Sequence, residues 1–517
     1  MGVIQVVLFL LLCSVVLGWL SRRAGVPYPI ALVVGGGALG FVPGLPQLEV
    51  DPQFLLVLVL PPILYQAALL TSWRDFKANL RPIGLLAIGL VIATTLAVGV
   101  TLKWLLPGIP WAAAFAFGAI VSPPDAVAAT AILSRLNMPR RIVTVLEGES
   151  LVNDASGLVL YKFAVAAVAT GAFSLLEASL QFALVSIGGI AIGIGLALIF
   201  VSVHRFVGDA FTEVLLSLSI PYAAYVVAES VHGSGVLAVV AAGLVRGRYT
   251  PAVVSAEMRI LARSVWNILV FMLNSLIFIL IGMTLSAIMG RLTGYSAWEL
   301  ANYAFWVTLV SIVVRFAWVY PATYAPHWLS ARLRASEPAP PHAEVFIMSW
   351  CGMRGIVSLA AALALPMTVQ SGEPFAYRDL IIFLTFVVIA VTLVVQGLTL
   401  TPLIRRLKVG SDASASEEHM RARLALGRAA LAAIDALSGK ERMPRELVAR
   451  VRAEFADRME TVAPHGGNSG FGFGKELRLA AVRAERQELI RIWRAGEISD
   501  DVLHHLEEEL DYEEQRL

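Results

Sequence analysis

Charged side chains are unevenly distributed along the 517 residues of the chain. The first 408 residues hold 41 Lys, Arg, Asp and Glu, whereas the last 109 residues hold 37. The overall charged fraction is 15%, against about 25% in average soluble proteins. Such a step indicates two solvents, a lipid bilayer for residues 1–408 and water for residues 409–517. It excludes a secreted disulfide scaffold, a collagen-like or disordered chain, and an ordinary cytosolic enzyme.

Thirteen predominantly apolar segments can be cut from residues 1–408 at charged, Pro or Gly breaks, and a membrane-spanning helix needs about 20 such residues. They lie at 3–20, 29–45, 54–70, 82–106, 111–134, 142–169, 180–203, 211–230, 234–247, 261–289, 298–325, 343–369 and 379–404. The first has no positively charged start and no small-residue cleavage site, so we interpret it as a retained membrane helix. The sequence therefore predicts an all-α polytopic membrane protein.

The loops between these segments alternate in charge. With the amino terminus outside the cell, the inner loops hold 18 Lys and Arg and the outer loops hold 3. Cytoplasmic loops collect positive residues, and a missed helix would invert every later loop. We therefore expect a multi-pass protein of the cell membrane, with its amino terminus outside and a cytoplasmic tail at 409–517.

The tail has amphipathic stretches near 418–438, 444–462 and 474–494, with a loop at 464–474 between the last two. These predict a small helical cytoplasmic domain. The Gly-rich run 470–476 lacks the earlier Gly and the following Ser or Thr of a phosphate-binding loop, so we expect no nucleotide. Since there is no ATPase signature, we expect an ion gradient to supply the energy for any transport. We also expect no nucleic acid partner.

Other residue types make a bound cofactor unexpected. The cysteines Cys13 and Cys351 lie in separate apolar segments, so we expect neither a structural disulfide nor a Cys-based metal site. The eight histidines show no ligand spacing. The Gly-rich runs 35–40 and 188–195 follow no strand, and we interpret them as close helix-packing surfaces rather than dinucleotide loops.

The fifth apolar segment carries Pro123, Pro124 and Asp125 near its middle. Two prolines remove two backbone donors, so this helix must kink or break beside Asp125. One interpretation is a simple proline kink. The other is a discontinuous helix whose free carbonyls and half-helix ends help to hold an ion at the membrane midplane.

The sixth apolar segment presents four polar side chains on one face. Glu149 and Asn153 are one turn apart, and Ser150 and Asp154 form the neighbouring stripe. All four offer oxygen ligands, which suit hard cations. Asp154 is about 18 Å into the helix at about 1.5 Å per residue, which places it near the bilayer centre.

A carboxylate at that depth avoids an unpaired charge either by taking up a proton or by binding a cation. If the site can cross the membrane when it holds either ion, but cannot cross when it is empty, it exchanges one ion for the other. We therefore predict Asp154 as the exchanging group, with Ser150, Asn153 and Asp125 helping to bind or orient the ion. Asp154, Asp125 and Ser150 are the predicted Na⁺ ligands. The alternative is a buried helix-packing network without transport.

Arg315 and Arg354 lie in the eleventh and twelfth segments and are permanently charged, so each needs a buried partner. Glycines on both sides of Arg354, in Gly352-Met-Arg-Gly355, allow close backbone approach or a local break. We expect Glu149 or Glu147 to pair with Arg354, which would leave Asp154 for the ion.

Residues 122–128, Ser-Pro-Pro-Asp-Ala-Val-Ala, and 146–155, Leu-Glu-Gly-Glu-Ser-Leu-Val-Asn-Asp-Ala, closely resemble the paired fifth and sixth spans of sodium/proton antiporters of the monovalent cation:proton antiporter superfamily. The Gly-Met-Arg-Gly run resembles the family's arginine motif, and residues 266–282 resemble its long tenth span. The resemblance covers about residues 1–408. Many relatives have Thr before the broken-helix Asp and Pro after it, where this chain has Pro124 and Ala126.

The resemblance implies a homodimer with a dimerisation part and a six-helix core, inverted repeats, two broken crossing helices, and an elevator-like movement of the core. It also implies an Asn-Asp pair at the site, here Asn153 and Asp154, which in relatives accompanies electroneutral one-for-one exchange. Glu149 and Ser150 match the family's Glu-Ser pair.

We therefore expect a secondary antiporter that exchanges Na⁺ for H⁺ in pH and sodium homeostasis, with Li⁺ or K⁺ as further candidate ions. A K⁺/H⁺ antiporter is the alternative. The carboxylates disfavour a transporter of organic anions, and the absence of a repeated selectivity loop disfavours a channel. The sequence shows no nucleophile with a matching general base, so nothing in it indicates an enzyme.

Overall fold

A computed structural model of the chain describes most of the apolar part and a smaller share of the tail. The described residues are 3–42, 57–133, 136, 138–170, 175–204, 206–207, 209–253, 256–292, 294–336, 339–369, 372–409, 413–438, 444–460, 484–485, 487–489, 491, 506 and 512. The chain forms two compact units, Met1–Ser411 and Asp412–Leu517.

Helices dominate the first unit, and each of the thirteen predicted segments coincides with one helix or with two half-helices. Short helices α4 and α14 connect longer ones. The helices are α1 (Val3–Ala24), α2 (Tyr28–Gly40), α3 (Leu60–Leu70), α4 (Trp73–Ala78), α5 (Leu80–Leu105), α6 (Trp111–Val121), α7 (Ala126–Leu133), α8 (Arg140–Thr170), α9 (Leu175–His204), α10 (Ala210–Ser230), α11 (Gly235–Val253), α12 (Ala256–Arg291), α13 (Ala297–Leu329), α14 (Ala331–Ser336), α15 (His342–Trp350), α16 (Ile356–Leu363) and α17 (Arg378–Leu407).

Within the described residues, seven helices are long and apolar enough to cross a membrane. Their outward faces carry exposed apolar side chains, including those of Leu184, Leu198 and Val313. In water an apolar surface of this extent would promote association, whereas a bilayer solvates it. The prediction of an all-α polytopic membrane protein is confirmed.

Two spans are broken, and the breaks have different local causes. The span formed by α6 and α7 is interrupted at 122–125, where Pro123 and Pro124 lack the N–H groups that would continue the helix. The span formed by α15 and α16 is interrupted at 351–355. The interpretation of 122–125 as a helix break, rather than a simple kink, agrees with this geometry.

Small residues bring helices into close contact, as the two Gly-rich runs predicted. A Cβ added to Gly36 of α2 would collide with the backbone of Ile279 in α12. A Cβ added to Gly193 of α9 would collide with the backbone of Ala238 in α11. Both runs are therefore helix-packing surfaces.

The second unit contains α18 (Ala413–Ser438) and α19 (Arg445–Glu460), which coincide with the first two amphipathic stretches of the tail. Arg452 Nε lies 3.1 Å from Asp435 Oδ1, an ion pair that joins the two helices. The predicted loop at 464–474 and the Gly-rich run 470–476 lie outside the described residues, as does most of the stretch 474–494.

Candidate functional site

The two helix breaks meet, and their main chains are hydrogen-bonded to each other. The Asp125 N–H donates to the Met353 carbonyl at 2.7 Å. Asp125 also accepts a hydrogen bond through Oδ1 from the Val127 N–H, at 2.8 Å. This places its carboxylate at the amino end of α7, where the helix dipole favours negative charge. Its second oxygen, Oδ2, is buried beside Gly355 and makes no hydrogen bond of normal length and angle, while the Ile356 N–H at the start of α16 also points toward this carboxylate.

The polar face of α8 lies against the first break. Asn153 is fully buried, and its Nδ2 donates to the Pro124 carbonyl at 3.3 Å. The other side-chain atom of this amide, Oδ1, is buried without a hydrogen-bond partner. Asp154 is 5% exposed and lies within electrostatic range of Asp125. Ser150 is half-buried, one turn before Asp154.

The structure thus brings the predicted ion-site residues of α8 up to Asp125. Carboxylate and amide oxygens without donors nearby are electrostatically costly when buried. A proton on a carboxylate or a hard cation between these oxygens removes that cost. Among the described residues there is no cluster of three His, Cys, Asp or Glu that could hold a metal ion. Carboxylate and amide oxygens of this kind suit a hard cation.

Glu149 points to a different partner from the one expected. Arg315 binds it through two parallel hydrogen bonds, Nη1 to Oε1 at 2.5 Å and Nη2 to Oε2 at 2.8 Å. Both side chains are 1% exposed. Arg315 also donates through Nε and Nη2 to the Met348 carbonyl at 3.2 and 3.1 Å. This bidentate pair therefore fixes α8 and α13 to the end of α15.

The expected pairing of Arg354 with Glu149 or Glu147 is replaced by hydrogen bonds to main-chain carbonyls. Arg354 Nε donates to the Val121 carbonyl at 2.9 Å, and Nη1 donates to the Gly352 carbonyl. Carbonyls at the end of a broken helix have no partner within that helix, so they can accept from a guanidinium. Arg354 therefore joins the end of α6 to its own break.

A hydroxyl of α17 accepts a hydrogen bond from the main chain of the second break. The Arg354 N–H donates to Thr392 Oγ1 at 3.1 Å. Thr392 begins a π-helical turn, Thr392–Gln396, inside α17. A second π-helical turn, Leu85–Leu90 in α5, accepts from Ser156 of α8 through the Ala87 carbonyl. Such turns are frequent at functional sites.

The sequence interpretation missed these supporting residues for a physical reason. Thr392 is an ordinary side chain in an apolar segment, Met348 acts through its main-chain carbonyl, and a π-helical turn has no sequence pattern of the kind that a proline break has. Tyr28 of α2, which lies within electrostatic range of Asp125, was missed for the same reason.

Two broken helices whose breaks meet beside buried carboxylates are an arrangement typical of membrane ion transporters. A family profile described as "Sodium/hydrogen exchanger, transmembrane" matches residues 8–406. The chain belongs to this family, as the resemblance predicted.

Two relatives agree with this assignment, and a solved structure has a similar fold. An uncharacterised Na⁺/H⁺ exchanger of Mycobacterium bovis is 35% identical over 524 residues, 99% of this chain and 96% of that relative. A "Sodium, potassium, lithium and rubidium/H(+) antiporter" of Bacillus pumilus is 33% identical, over 93% of this chain and 73% of that relative. The structure of the sodium proton antiporter MjNhaP1 from Methanocaldococcus jannaschii is similar in fold, with a TM-score of 0.62 and 18% identity over 78% of this chain and 98% of that chain.

Proposed function

We propose that this protein exchanges Na⁺ for H⁺ across a membrane, and that Asp154 is the group that binds the two ions in turn. The observation that carries the proposal is the group of buried oxygens where the two breaks meet, which combines the carboxylates of Asp125 and Asp154 with Asn153 Oδ1, an oxygen that has no hydrogen-bond partner. Oxygens in this state attract a proton or a hard cation.

The charges around the crossing support exchange of one ion for one. Three carboxylates, those of Asp125, Glu149 and Asp154, and two guanidinium groups, those of Arg315 and Arg354, are buried around the two helix breaks, with Glu149 bound to Arg315. With every group ionised the set carries one negative charge in excess. A single Na⁺ or a single proton neutralises it, so the loaded site has the same charge on both legs of the cycle. Such exchange is electroneutral.

The other site residues have distinct proposed roles. Ser150 and Asn153 help to bind or orient the ion, and Asp125 adds a carboxylate oxygen from the break. Glu149, Arg315 and Arg354 hold the two breaks in place and leave Asp154 for the ion. The pair of Glu149 and Arg315 is a structural element in this scheme, since its four hydrogen-bonding atoms already satisfy one another.

Ion range, assembly and location belong to the same proposal. The name of the Bacillus pumilus relative includes Na⁺, K⁺, Li⁺ and Rb⁺. We propose Na⁺ as the main ion, with Li⁺ and K⁺ as further substrates to test. We also propose a homodimer in the cell membrane, with the amino terminus outside, that serves pH and sodium homeostasis.

The test is a pH-gradient dequenching assay in everted membrane vesicles, with Na⁺, Li⁺ and K⁺ added in turn. Asp154→Asn removes the exchanging carboxylate and should abolish dequenching with every ion. Asp379→Asn is the matched control, because Asp379 is 41% exposed at the start of α17 and pairs only weakly with Arg378 at 3.8 Å. It should exchange at the wild-type rate. Normal exchange by Asp154→Asn at equal expression would refute the assignment.

An imposed membrane potential tests the charge balance separately. Electroneutral exchange should proceed at the same rate with and without the potential. A rate that follows the potential would rule out one-for-one exchange while leaving Asp154 as the binding group.

A further inference from the structure

Helices α2 and α12 form a closely packed pair that carries none of the proposed ion ligands. A Cβ added to Gly282 of α12 would collide with the Val33 carbonyl of α2. Nearer the start of α2, the ring of Tyr28, the first residue of that helix, lies 5.6 Å from the ring of Phe271. The first turn of α2 is therefore held against the middle of α12.

A buried amide of α12 holds the hydroxyl group of Tyr28. Tyr28 makes a side-chain hydrogen bond with Asn274, which lies three residues after Phe271 on the same face of α12. Asn274 is 2% exposed, and its Oδ1 has no hydrogen-bond partner. The contact is therefore made by Nδ2, which can only donate. Because the Tyr28 oxygen accepts this hydrogen bond, its own proton remains to be donated to another group.

The first turn of α2 also reaches the place where the two breaks meet. A Cβ added to Gly397 of α17 would lie 2.8 Å from Ile30 Cδ1 and 3.6 Å from Met353 Sδ, so these residues of three elements pack together. The Met353 carbonyl in turn accepts from the Asp125 N–H. Asp125 is the charged residue that acts on Tyr28. The hydroxyl of Tyr28 therefore has a carboxylate of the ion site within its range.

The Asp125 carboxylate can accept one more hydrogen bond. The Val127 N–H donates to its Oδ1, and the Ile356 N–H points toward the carboxylate. An ionised carboxylate has about four acceptor positions on its two oxygens, so these two donors leave room for a hydroxyl and for an ion. A hydrogen bond donated to the ionised form favours that form over the protonated one. A further donor would therefore weaken the competition of protons with Na⁺.

Other elements bring further charged groups to the crossing. The polar face of α8 contributes Asp154, which lies within electrostatic range of Asp125. The second break contributes Arg354, whose guanidinium donates to main-chain carbonyls. The described part of α12 that packs on Tyr28 contributes the neutral Asn274. Asp125 and, through it, Asp154 are therefore the groups whose proton uptake the Tyr28 hydroxyl can influence.

We propose that Tyr28 is a positioning residue of the ion site: with its oxygen held by Asn274, its hydroxyl donates to the Asp125 carboxylate, directly or through one water molecule, and keeps it ionised for Na⁺. The proposal rests on the proposed function, since Asp125 is one of the ion ligands named there. It adds to the site a helix pair, α2 and α12, that supplies no carboxylate to it.

The test measures Na⁺-driven dequenching in everted vesicles over a range of Na⁺ concentrations, at the acidic and at the alkaline end of the active pH range. Tyr28→Phe removes only the hydroxyl. Its KM for Na⁺ should rise about tenfold at the acidic end, where protons compete, and by less than about twofold at the alkaline end. The maximal rate should stay within about twofold of wild type, because the exchanging carboxylate is untouched.

Two further substitutions provide the control and the link to α12. Tyr222→Phe removes a hydroxyl that donates to the Leu58 carbonyl at 3.0 Å, away from the crossing, and should keep the wild-type KM at both pH values. Asn274→Leu keeps the volume but removes the amide, so KM should rise at the acidic end by a smaller factor. Tyr28→Phe/Asn274→Leu should match Tyr28→Phe, because Asn274 acts through the hydroxyl.

The outcomes separate this inference from a packing role and from the proposed function. A wild-type KM in Tyr28→Phe at both pH values would overturn it. An equal rise at both would also overturn it, because a residue that only supports packing displaces the site at every pH. Asp154→Asn is assayed alongside. Exchange that persists in Asp154→Asn refutes the proposed function, whereas its loss there, together with an unchanged Tyr28→Phe, refutes only the role of Tyr28.

The Na⁺-dependent rise in the thermal unfolding midpoint of the purified full-length protein gives the same comparison without transport. Tyr28→Phe should need about tenfold more Na⁺ than wild type for an equal rise at the acidic end, and a similar concentration at the alkaline end. Equal Na⁺ requirements of the two proteins at the acidic end would contradict the role of Tyr28, whatever the exchange assay shows.

Discussion

The two broken spans cross at the same place but are interrupted by opposite means. The first break contains Pro123 and Pro124 and carries the acidic Asp125. The second contains Gly352 and Gly355 and carries the basic Arg354. Each break supplies the other with a group that it lacks, because the Met353 carbonyl accepts from Asp125, and Arg354 donates to the Val121 carbonyl.

The difference shows that a helix can be interrupted either by its own residues or by contacts from neighbouring helices. Proline removes a donor covalently, so the first break is encoded at the position where it occurs. Glycine only permits a break. The second break is held by neighbouring helices. Arg315 of α13 donates to the Met348 carbonyl, and Thr392 of α17 accepts from the Arg354 N–H. We therefore expect the second break to be more sensitive to distant substitutions than the first.

The largest effect is expected from Arg315→Met. The substitution leaves Glu149 buried without its partner and frees the Met348 carbonyl, so the free energy of unfolding should fall by about 3–5 kcal/mol. Arg315→Met/Glu149→Met removes both charges and should recover most of that loss. Unfolding in detergent, followed by circular dichroism, measures both. Equal instability of the single and double variants would show that the unpaired carboxylate is not the cause.

Gly355→Ala should have the next largest effect. The added Cβ would collide with the Asp125 carboxylate, so the two breaks must move apart. We expect a loss of about 1–3 kcal/mol in stability and of Na⁺/H⁺ exchange beyond tenfold. The matched control is Gly188→Ala, where nothing lies within 4 Å of the new Cβ. Exchange at the wild-type rate in Gly355→Ala would mean that the close approach is not needed.

Thr392→Val tests the hydrogen bond by which α17 supports the second break, and its effect should be smaller than that of Gly355→Ala. Val keeps the shape but removes the acceptor of the Arg354 N–H, which should cost about 1 kcal/mol in stability. Thr392→Ser keeps the hydroxyl and should behave like wild type. Thermal unfolding of the three proteins checks the effect, and a Val variant as stable as the Ser variant would contradict it.

The smallest effect is expected from Pro124→Ala. Pro123 remains and still interrupts the helix, so stability should change by only about 0.4–1 kcal/mol and exchange should persist. Pro123→Ala/Pro124→Ala permits a continuous helix and should abolish exchange, because the Asp125 N–H would leave the Met353 carbonyl. Vesicle assays compare the two variants. Full exchange by the double variant would show that tertiary contacts, and not the prolines, maintain the first break.

Much of the fold and part of the candidate site could be predicted from the sequence. Apolar length and the alternation of loop charge located the spans, since both follow from the bilayer as a solvent. Asp125, Glu149, Asn153 and Asp154 stood out because ionisable and amide groups are costly at membrane depth. The partner of Glu149 could not be predicted, because Arg315 lies 166 residues away and Arg354 was an equally reasonable candidate from charge alone.

The sequence by itself determined the solvent, the spans and the proline break, because hydrophobic length and a missing N–H act where they occur in the chain. Only the tertiary structure decided which buried charges pair, which oxygens at the crossing are left without donors, and where the glycine break is held. Those outcomes depend on how helices distant in sequence approach one another, and a buried charge or carbonyl takes whichever partner that packing brings within hydrogen-bonding distance.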